Sequence, residues 1–276
     1  MRATVLIAFA LFVSPFAAAC NADVTDEATE DVSDASEALS YGDCDDDDDD
    51  GEADPLAVDF SNCLESIGVG LVPTAAAQAL VPPGYILVGG ADPVTPVVVR
   101  TAHCSKIKVG HHHGREGSIV QIGAVIVPPD FTGDINNYTF WYYTDHKDLA
   151  RGLQDSGVNA QRVHHIGYHF NKNKPSGPNF HVTVPAAGIS IDGRVEPSTV
   201  PAGSFDANWW KTSFASDGSV KMATDVPVIN IGSADLVLTT SSNSPVNALS
   251  GGQPLGFPII QQFNSFDTAH MDVTVQ

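Results

Sequence analysis

The stretch TFWYYTDHKDLARGLQDSGVNAQRV, from Thr139 to Val163, contains the clearest local structural signals in the sequence. Its first six residues are aromatic or β-branched, a composition that favours a strand. Thr144 or Asp145 can then cap a helix that carries two leucines one turn apart, and Gly157 can end this helix in the left-handed conformation. The stretch therefore predicts a strand that leads directly into a helix.

Strand patterns continue on both sides of this unit. From Gln78 to Gln276 the chain has the length and composition of one domain, in which β-branched and aromatic runs alternate with Gly, Pro, Asn and Asp. These runs are PVVVRTAHC, GSIVQIGAVIVPP, NFHVTVPA, GISIDGRV, SVKMATDVPVINI, ADLVLTT and AHMDVTVQ. The sequence thus predicts an α+β class that is mostly β, with a cone-like or barrel-like sheet and one principal helix, and argues against a parallel α/β fold.

The N-terminal residues MRATVLIAFALFVSPFAAAC predict export. One Arg precedes an apolar run that is too short to span a bilayer, and small residues follow, as in a signal peptide over residues 1–19. The cysteine at position 20 resembles the lipidated residue of a bacterial lipoprotein, although Ala17 replaces the usual leucine. We therefore predict a protein anchored to the bacterial cell envelope through Cys20, with ordinary secretion as the alternative.

The acidic residues are concentrated in a tail. Of 33 Asp and Glu, 17 lie between Asn21 and Phe60, a segment that contains no Lys or Arg. Such a composition predicts a disordered tether over residues 20–60, followed by a connecting segment at 61–77 and the folded domain at 78–276. The acidity argues against nucleic-acid binding. The aspartate run fits the first positions of an EF-hand loop, but Ala57 occupies the position of the bidentate Glu, so the EF-hand motif is incomplete. Whether the run binds calcium stays open.

The cysteines allow two pairings once Cys20 is assigned to the lipid. Cys44 and Cys63 flank the aspartate run, so we predict a disulfide between them that leaves Cys104 as a buried thiol. Pairing of Cys63 with Cys104 is the competing possibility.

Three stretches resemble the acetoacetate decarboxylase-like superfamily in their order and spacing. They are VVVRT at Val97–Thr101, the unit at Thr139–Val163, and DGSVKMATDVPVINIGSADLVLTTSSNSPVNAL at Asp217–Leu249. The resemblance implies the fold of that superfamily and, in its active members, a lysine that forms a Schiff base with a carbonyl substrate. Here Gln161 and Arg162 stand in roughly the place of the lysine pair, and Gln121 stands near the place of a strand carboxylate. The resemblance therefore implies a retained fold and a lost decarboxylase site.

Several polar and aromatic residues are candidates for the remaining chemistry. If catalysis persists, His164 and His165 are the candidate acid–base groups, with Arg162 as an anchor for the substrate. His165, His169 and His181 are the best set for a metal, although the strand-like context favours no metal site. The candidate ligand-binding residues are Arg100, Gln121, Gln161, Arg162, Trp209 and Trp210.

The sequence as a whole predicts a membrane-tethered module that binds a small apolar, carbonyl or carboxylate compound without decarboxylase activity. It contains no P-loop, dinucleotide fingerprint or G-x-S-x-G motif, so no cofactor is expected. One alternative is a lyase or cyclase on the same scaffold that uses His and Arg side chains. The other is a surface structural protein without a ligand.

Overall fold

The structure, a computed structural model, describes residues 55–132, 135–215 and 218–276. The strands are β1 (Leu56–Pro73), β2 (Val94–Val109), β3 (Arg115–Val125), β4 (Ile135–Thr144), β5 (Ala160–Arg162), β6 (Gly167–Phe170), β7 (Phe180–Val184), β8 (Ile189–Glu196), β9 (Pro201–Thr212), β10 (Ser219–Thr240), β11 (Leu255–Gly256) and β12 (Ile260–Val275). The helices are α1 (Thr74–Gln78), α2 (Lys147–Asp155) and α3 (Asn247–Ser250), with a 3-10 turn at Pro185–Ala187.

Seven of the strands close into a ring. They follow the order β1, β2, β3, β4, β9, β10 and β12, and β12 pairs with β1 to complete the circuit. All neighbours in the ring are antiparallel except β4 and β9, which are parallel. The remaining strands extend the sheet outside the ring: β8, β7 and β6 continue from the second half of β10, β5 pairs with β4, and β11 pairs with β10. The prediction of a mostly β fold is confirmed.

Alternate residues of the ring strands enter two separate hydrophobic cores, because successive side chains of a strand point to opposite faces. On β2, Val98 belongs to an inner core with Ile119, Trp209 and Met222. Its neighbours Val97 and Val99 belong to an outer core, which lies between the ring and the layer formed by β7, β8 and α3. Apolar side chains therefore cover the outer face of the ring, and other apolar side chains fill part of its interior.

Helix α2 is the longest of the helices and follows β4, as predicted. Its N-cap is His146, whose Nδ1 accepts a hydrogen bond from the backbone N–H of Leu149 at 3.1 Å. Neither residue predicted as the cap has that role. Gly157 lies beyond the helix with a φ of 87°, the left-handed conformation predicted for it. The buried leucines of α2, Leu149 and Leu153, join the inner core and close the end of the ring near Leu56.

The structure corrects two of the predicted boundaries. Residues 61–77 are not a connecting segment, since Leu56–Pro73 forms β1 and pairs with both β2 and β12. Within this strand Asn62 has a positive φ of 49° and interrupts the alternation of buried residues between Phe60 and Cys63. The runs SVKMATDVPVINI and ADLVLTT form a single strand, β10, whose pairing with β9 is irregular between Val226 and Ile229. The bend at this irregularity lets one strand serve both the ring and the outer layer.

The disulfide prediction is also corrected. Cys63 is bonded to Cys104, with Cα atoms 4.1 Å apart. The two residues lie directly opposite each other on β1 and β2, so the register of these strands brings their side chains together on one face. Cys104 is therefore not a free thiol.

The predicted signal peptide, the lipidated Cys20, Cys44 and the aspartate run lie outside the described residues. Within residues 55–132, 135–215 and 218–276, none of the helices has the length and apolar character needed to cross a membrane.

Candidate functional site: a cavity inside the ring

A cavity of about 420 Å³ lies inside the ring. Every one of the seven ring strands contributes to its wall, and the contributing residues alternate along each strand, as Phe205, Ala207 and Trp209 do on β9. Away from the opening, the hydrophobic residues of the wall are Ile67, Val69, Pro96, Val98, Val125, Phe205, Ala207, Trp209 and Val226. The volume is within the range of sites that hold small organic molecules.

The cavity opens at the end of the ring away from α2. Four of its lining residues, Ile135, Ile231, Ile259 and Ile260, are exposed to solvent, so they mark the opening. Ile259 is held there by the hydrogen bond from its backbone N–H to the carbonyl oxygen of Val69. A ligand would therefore enter between aliphatic side chains, and an apolar tail could remain in contact with them.

Among the described residues, the only charged ones in the cavity wall are Arg100 and Glu65, and they are paired. Arg100 Nε donates to Glu65 Oε2 at 2.5 Å, and both residues are buried. Glu65 Oε1 accepts a second hydrogen bond, from Asn264 Nδ2 at 3.2 Å. Burial alone would lower the pKa of Arg100, but the charge of Glu65 and the hydrogen bond to it raise that pKa above its ordinary value. The guanidinium is therefore charged, and the carboxylate of Glu65 balances its charge.

A row of polar side chains crosses the ring beside this pair. Arg100 on β2, Gln121 on β3 and Tyr142 on β4 lie opposite one another in register, so they share one face. Gln121 Nε2 donates to Thr139 Oγ1 at 3.1 Å. The buried hydroxyl of Tyr142 has no hydrogen-bond partner within the described chain, and burial raises its pKa above the ordinary range. At neutral pH this hydroxyl keeps its proton and can act as a donor.

Two further polar groups of the cavity wall lack partners. Asn137 Oδ1 and Thr224 Oγ1 are buried and have no hydrogen bond within the described residues. Asn137 is 2% exposed and Thr224 is 6% exposed. Because an unsatisfied buried polar group costs about 1–3 kcal/mol, a bound molecule or water that meets these atoms would be stabilised.

The structure brings together only some of the predicted ligand-binding residues. Arg100 and Trp209 line the cavity, and Gln121 is buried beside Arg100. Trp210 points into the outer core instead, where its Nε1 donates to Asn136 Oδ1 at 2.6 Å. Gln161 and Arg162 are exposed on β5 and do not line the cavity. The anchoring role assigned to Arg162 is therefore available to Arg100 rather than to Arg162.

The candidate catalytic histidines lie in a different place. His164 and His165 are exposed in the link between β5 and β6 and line a surface groove of about 350 Å³. In this groove His103 Nδ1 lies 3.0 Å from Ser118 Oγ. Arg162 is not part of the groove lining, so the structure does not combine it with His164 or His165 in one site.

The histidines considered as metal ligands are neighbours in pairs, since His165 and His169 line the same groove and His169 faces His181, but they do not form a metal site. His169 and His181 face each other on β6 and β7, with ring centroids 6.3 Å apart, whereas His165 precedes β6. His181 Nδ1 lies 2.5 Å from Asp192 Oδ1. In the part of the chain that the structure describes, no group of three or more His, Cys, Asp or Glu residues is arranged to hold a metal ion. The triplet His111–His113 is exposed in the turn after β2.

None of the residues that line the cavity is a lysine. A partly buried lysine lies on β9: Lys211, whose Nζ donates to the backbone oxygen of Thr139 at 3.0 Å. Burial lowers the pKa of Lys211. Its amine satisfies a carbonyl just beyond the last paired residues of β4 and β9, Tyr138 and Trp210, which is a structural role.

Four polar residues of the cavity wall were not among the predicted site residues: Glu65, Asn137, Thr224 and Gln262. Glu65 fell in the predicted connecting segment. The alternation of Cys63, Glu65, Ile67 and Val69 is a strand signal, and it would have placed Glu65 on the same face as its apolar neighbours.

Comparison with known proteins identifies the fold. No protein-family model and no curated protein sequence matches the chain. Among solved structures, an acetoacetate decarboxylase matches with a TM-score of 0.53 and 10% identity over 79% of this chain and 88% of its own. The acetoacetate decarboxylase of Legionella pneumophila matches with a TM-score of 0.51 and 11% identity over 81% and 88%. An acetoacetate decarboxylase-like enzyme from Sphingomonas wittichii gives 0.49 and 10% over 81% and 94%. The chain therefore has the acetoacetate decarboxylase-like fold, which confirms the resemblance predicted from its sequence.

Proposed function

We propose that the chain binds a small, mainly apolar molecule with a carbonyl or carboxylate group in the ring cavity, and that it lacks decarboxylase activity. The observation that supports this proposal is the cavity itself, which is apolar, open at one end, and supplied with a buried arginine but no lysine. Apolar burial would provide most of the affinity, and the polar groups near Arg100 would orient the ligand. The decarboxylase activity named for the similar structures is not assigned to this chain.

Filling the cavity is expected to remove binding while the fold persists. In Ala207→Phe a ring would occupy the space beside Trp209, so the affinity for 2-nonanone or octanoate should fall at least tenfold, which corresponds to about 1.4 kcal/mol. Isothermal titration calorimetry measures this change, and circular dichroism confirms folding. Ser204→Phe is the matched control, because it places the same ring on an exposed position of β9. The proposal fails if the wild-type chain binds neither probe or if Ala207→Phe binds as the wild type does.

A separate experiment tests the proposal that no lysine of the cavity forms a Schiff base. Reduction with borohydride in the presence of acetoacetate is expected to leave the mass of the chain unchanged, because no lysine lines the cavity. Intact-mass spectrometry measures the result. A covalent adduct that disappears in Lys211→Met would show instead that the half-buried amine of Lys211 forms a Schiff base with the carbonyl, contrary to the proposed loss of this chemistry.

A lyase or cyclase remains the second candidate, supported by the groove that contains His164 and His165. There Ser118 has its backbone N–H bonded to Asp145 Oδ1 at 2.7 Å and its hydroxyl in contact with His103. Such a set of groups could exchange protons with a substrate. Binding of the probes that is lost on replacing His164 and His165, and retained in Ala207→Phe, would favour this candidate. Absence of binding at every site would favour a surface protein without a ligand.

We further propose that the chain is exported and anchored to a membrane by a lipid on Cys20, with secretion as the alternative. The support is the signal-peptide pattern and the small residues before Cys20. Metabolic labelling with an alkyne-tagged fatty acid should mark the wild-type chain and not Cys20→Ser. Equal labelling of both, or labelling of neither, would contradict the lipid anchor.

A further inference from the structure

The charge inside the ring cavity is already balanced before any ligand binds. Arg100 is positive, and Glu65 holds a carboxylate geometry in which one oxygen accepts from Arg100 and the other accepts from Asn264. A protonated carboxyl would have to donate from one of these oxygens, and both partners there are donors. Within the described part of the chain no other charged residue lines the wall, so the charges of Arg100 and Glu65 balance each other there.

A second anion would therefore enter an apolar site without an uncompensated positive charge. Transfer of an ionised carboxylate out of water is strongly unfavourable unless a counter-charge compensates it. The one counter-charge in the wall is already engaged by Glu65 at 2.5 Å, and the new carboxylate would be repelled by Glu65 at similar range. A neutral group meets neither cost.

The unpartnered groups of the wall suit a neutral ligand. The hydroxyl of Thr224 can donate to a carbonyl or accept from an alcohol, and Asn137 Oδ1 can accept from an alcohol. Both residues are more than nine-tenths buried and line the cavity. Together, the balanced ion pair and these two atoms favour an uncharged polar group on an apolar molecule.

We infer that the ring cavity selects uncharged ligands, namely aliphatic ketones or alcohols, and discriminates against the corresponding carboxylates. This inference rests on the proposed function and narrows it to one ligand class. It also assigns Glu65 the role of determining specificity, because Glu65 neutralises the arginine that a carboxylate would otherwise bind.

The test compares two probes of the same size. 2-Nonanone and octanoate have the same number of non-hydrogen atoms, and a methyl group of the ketone replaces a charged oxygen of the acid. At pH 7.5 the wild-type chain is expected to bind 2-nonanone at least tenfold more tightly than octanoate by calorimetry. In Glu65→Gln the amide can still contact Arg100 and Asn264 but removes the negative charge. The ratio of the affinity for octanoate to that for 2-nonanone should then rise at least tenfold.

The outcomes separate the two proposals. Binding of octanoate more tightly than 2-nonanone by the wild type, or an unchanged ratio of affinities in Glu65→Gln, would overturn the inference while leaving a ligand-binding cavity in place. Binding of neither probe would overturn the proposed function and the inference with it. If Glu65→Gln does not fold, the wild type is titrated at lower pH. The affinity for octanoic acid should then rise as its carboxyl takes up a proton, while that for the ketone stays constant; parallel curves would overturn the inference.

Discussion

Replacing Arg100 by methionine is expected to lower the free energy of unfolding by about 3–5 kcal/mol, because Glu65 would remain buried without its partner. Both side chains are almost fully buried, so solvent cannot compensate for the lost pair. Urea denaturation at pH 8 measures this loss.

The control removes both charges at once. The double variant Arg100→Met, Glu65→Leu leaves no unpaired ion and is expected to recover most of the stability lost in the single variant, since apolar replacement of a buried pair is often nearly neutral. A double variant whose loss equals the sum of the two single losses would mean that the side chains do not interact, contrary to the 2.5 Å contact.

Removal of the disulfide is expected to cost about 2–4 kcal/mol. The bond joins residues 41 positions apart, and its loss gives the unfolded chain more conformational freedom. Urea denaturation of Cys63→Ala, Cys104→Ala against the wild type measures the difference. Cys44→Ala is the matched control and should leave the stability unchanged. A loss in Cys44→Ala as large as the loss in the double variant would instead support the pairing of Cys44 with Cys63.

The fold could be predicted from local patterns because those patterns are repeated along the chain. Alternation of apolar residues marks most of the ring strands, and the transition from β4 to α2 has both a strand composition and a helical spacing. The closure of the ring was not predictable in the same way. It depends on pairing between β1 and β12, whose partners, such as Leu56 and Val273, lie at opposite ends of the folded region.

The site was harder to predict, because strand pairing brings together residues that are far apart in the sequence. Arg100 and Glu65 are 35 positions apart, and only the register of β1 with β2 places them together. The resemblance in chain order predicts a ligand-binding role for Arg162, because this residue follows the helix. In the structure it lies on β5, a strand of three residues that pairs with β4 outside the ring, so its side chain is exposed. Order along the chain indicated the region but not the face of the sheet.

The predicted roles of Trp209 and Trp210 show the same limit. The two tryptophans are adjacent, so a strand must place them on opposite faces. Trp209 lines the cavity and Trp210 packs in the outer core. The sequence contained this alternation, but it did not indicate which of the two faces enclosed the empty space.

A crystal structure of the chain grown with 2-nonanone would show where a neutral apolar ligand binds and whether it binds without a covalent bond. Density for the ketone is expected inside the ring, in contact with Trp209 and Val98 and not bonded to any side chain. An empty cavity with the ketone in the groove beside His164 and His165, or density continuous with a lysine, would contradict this expectation.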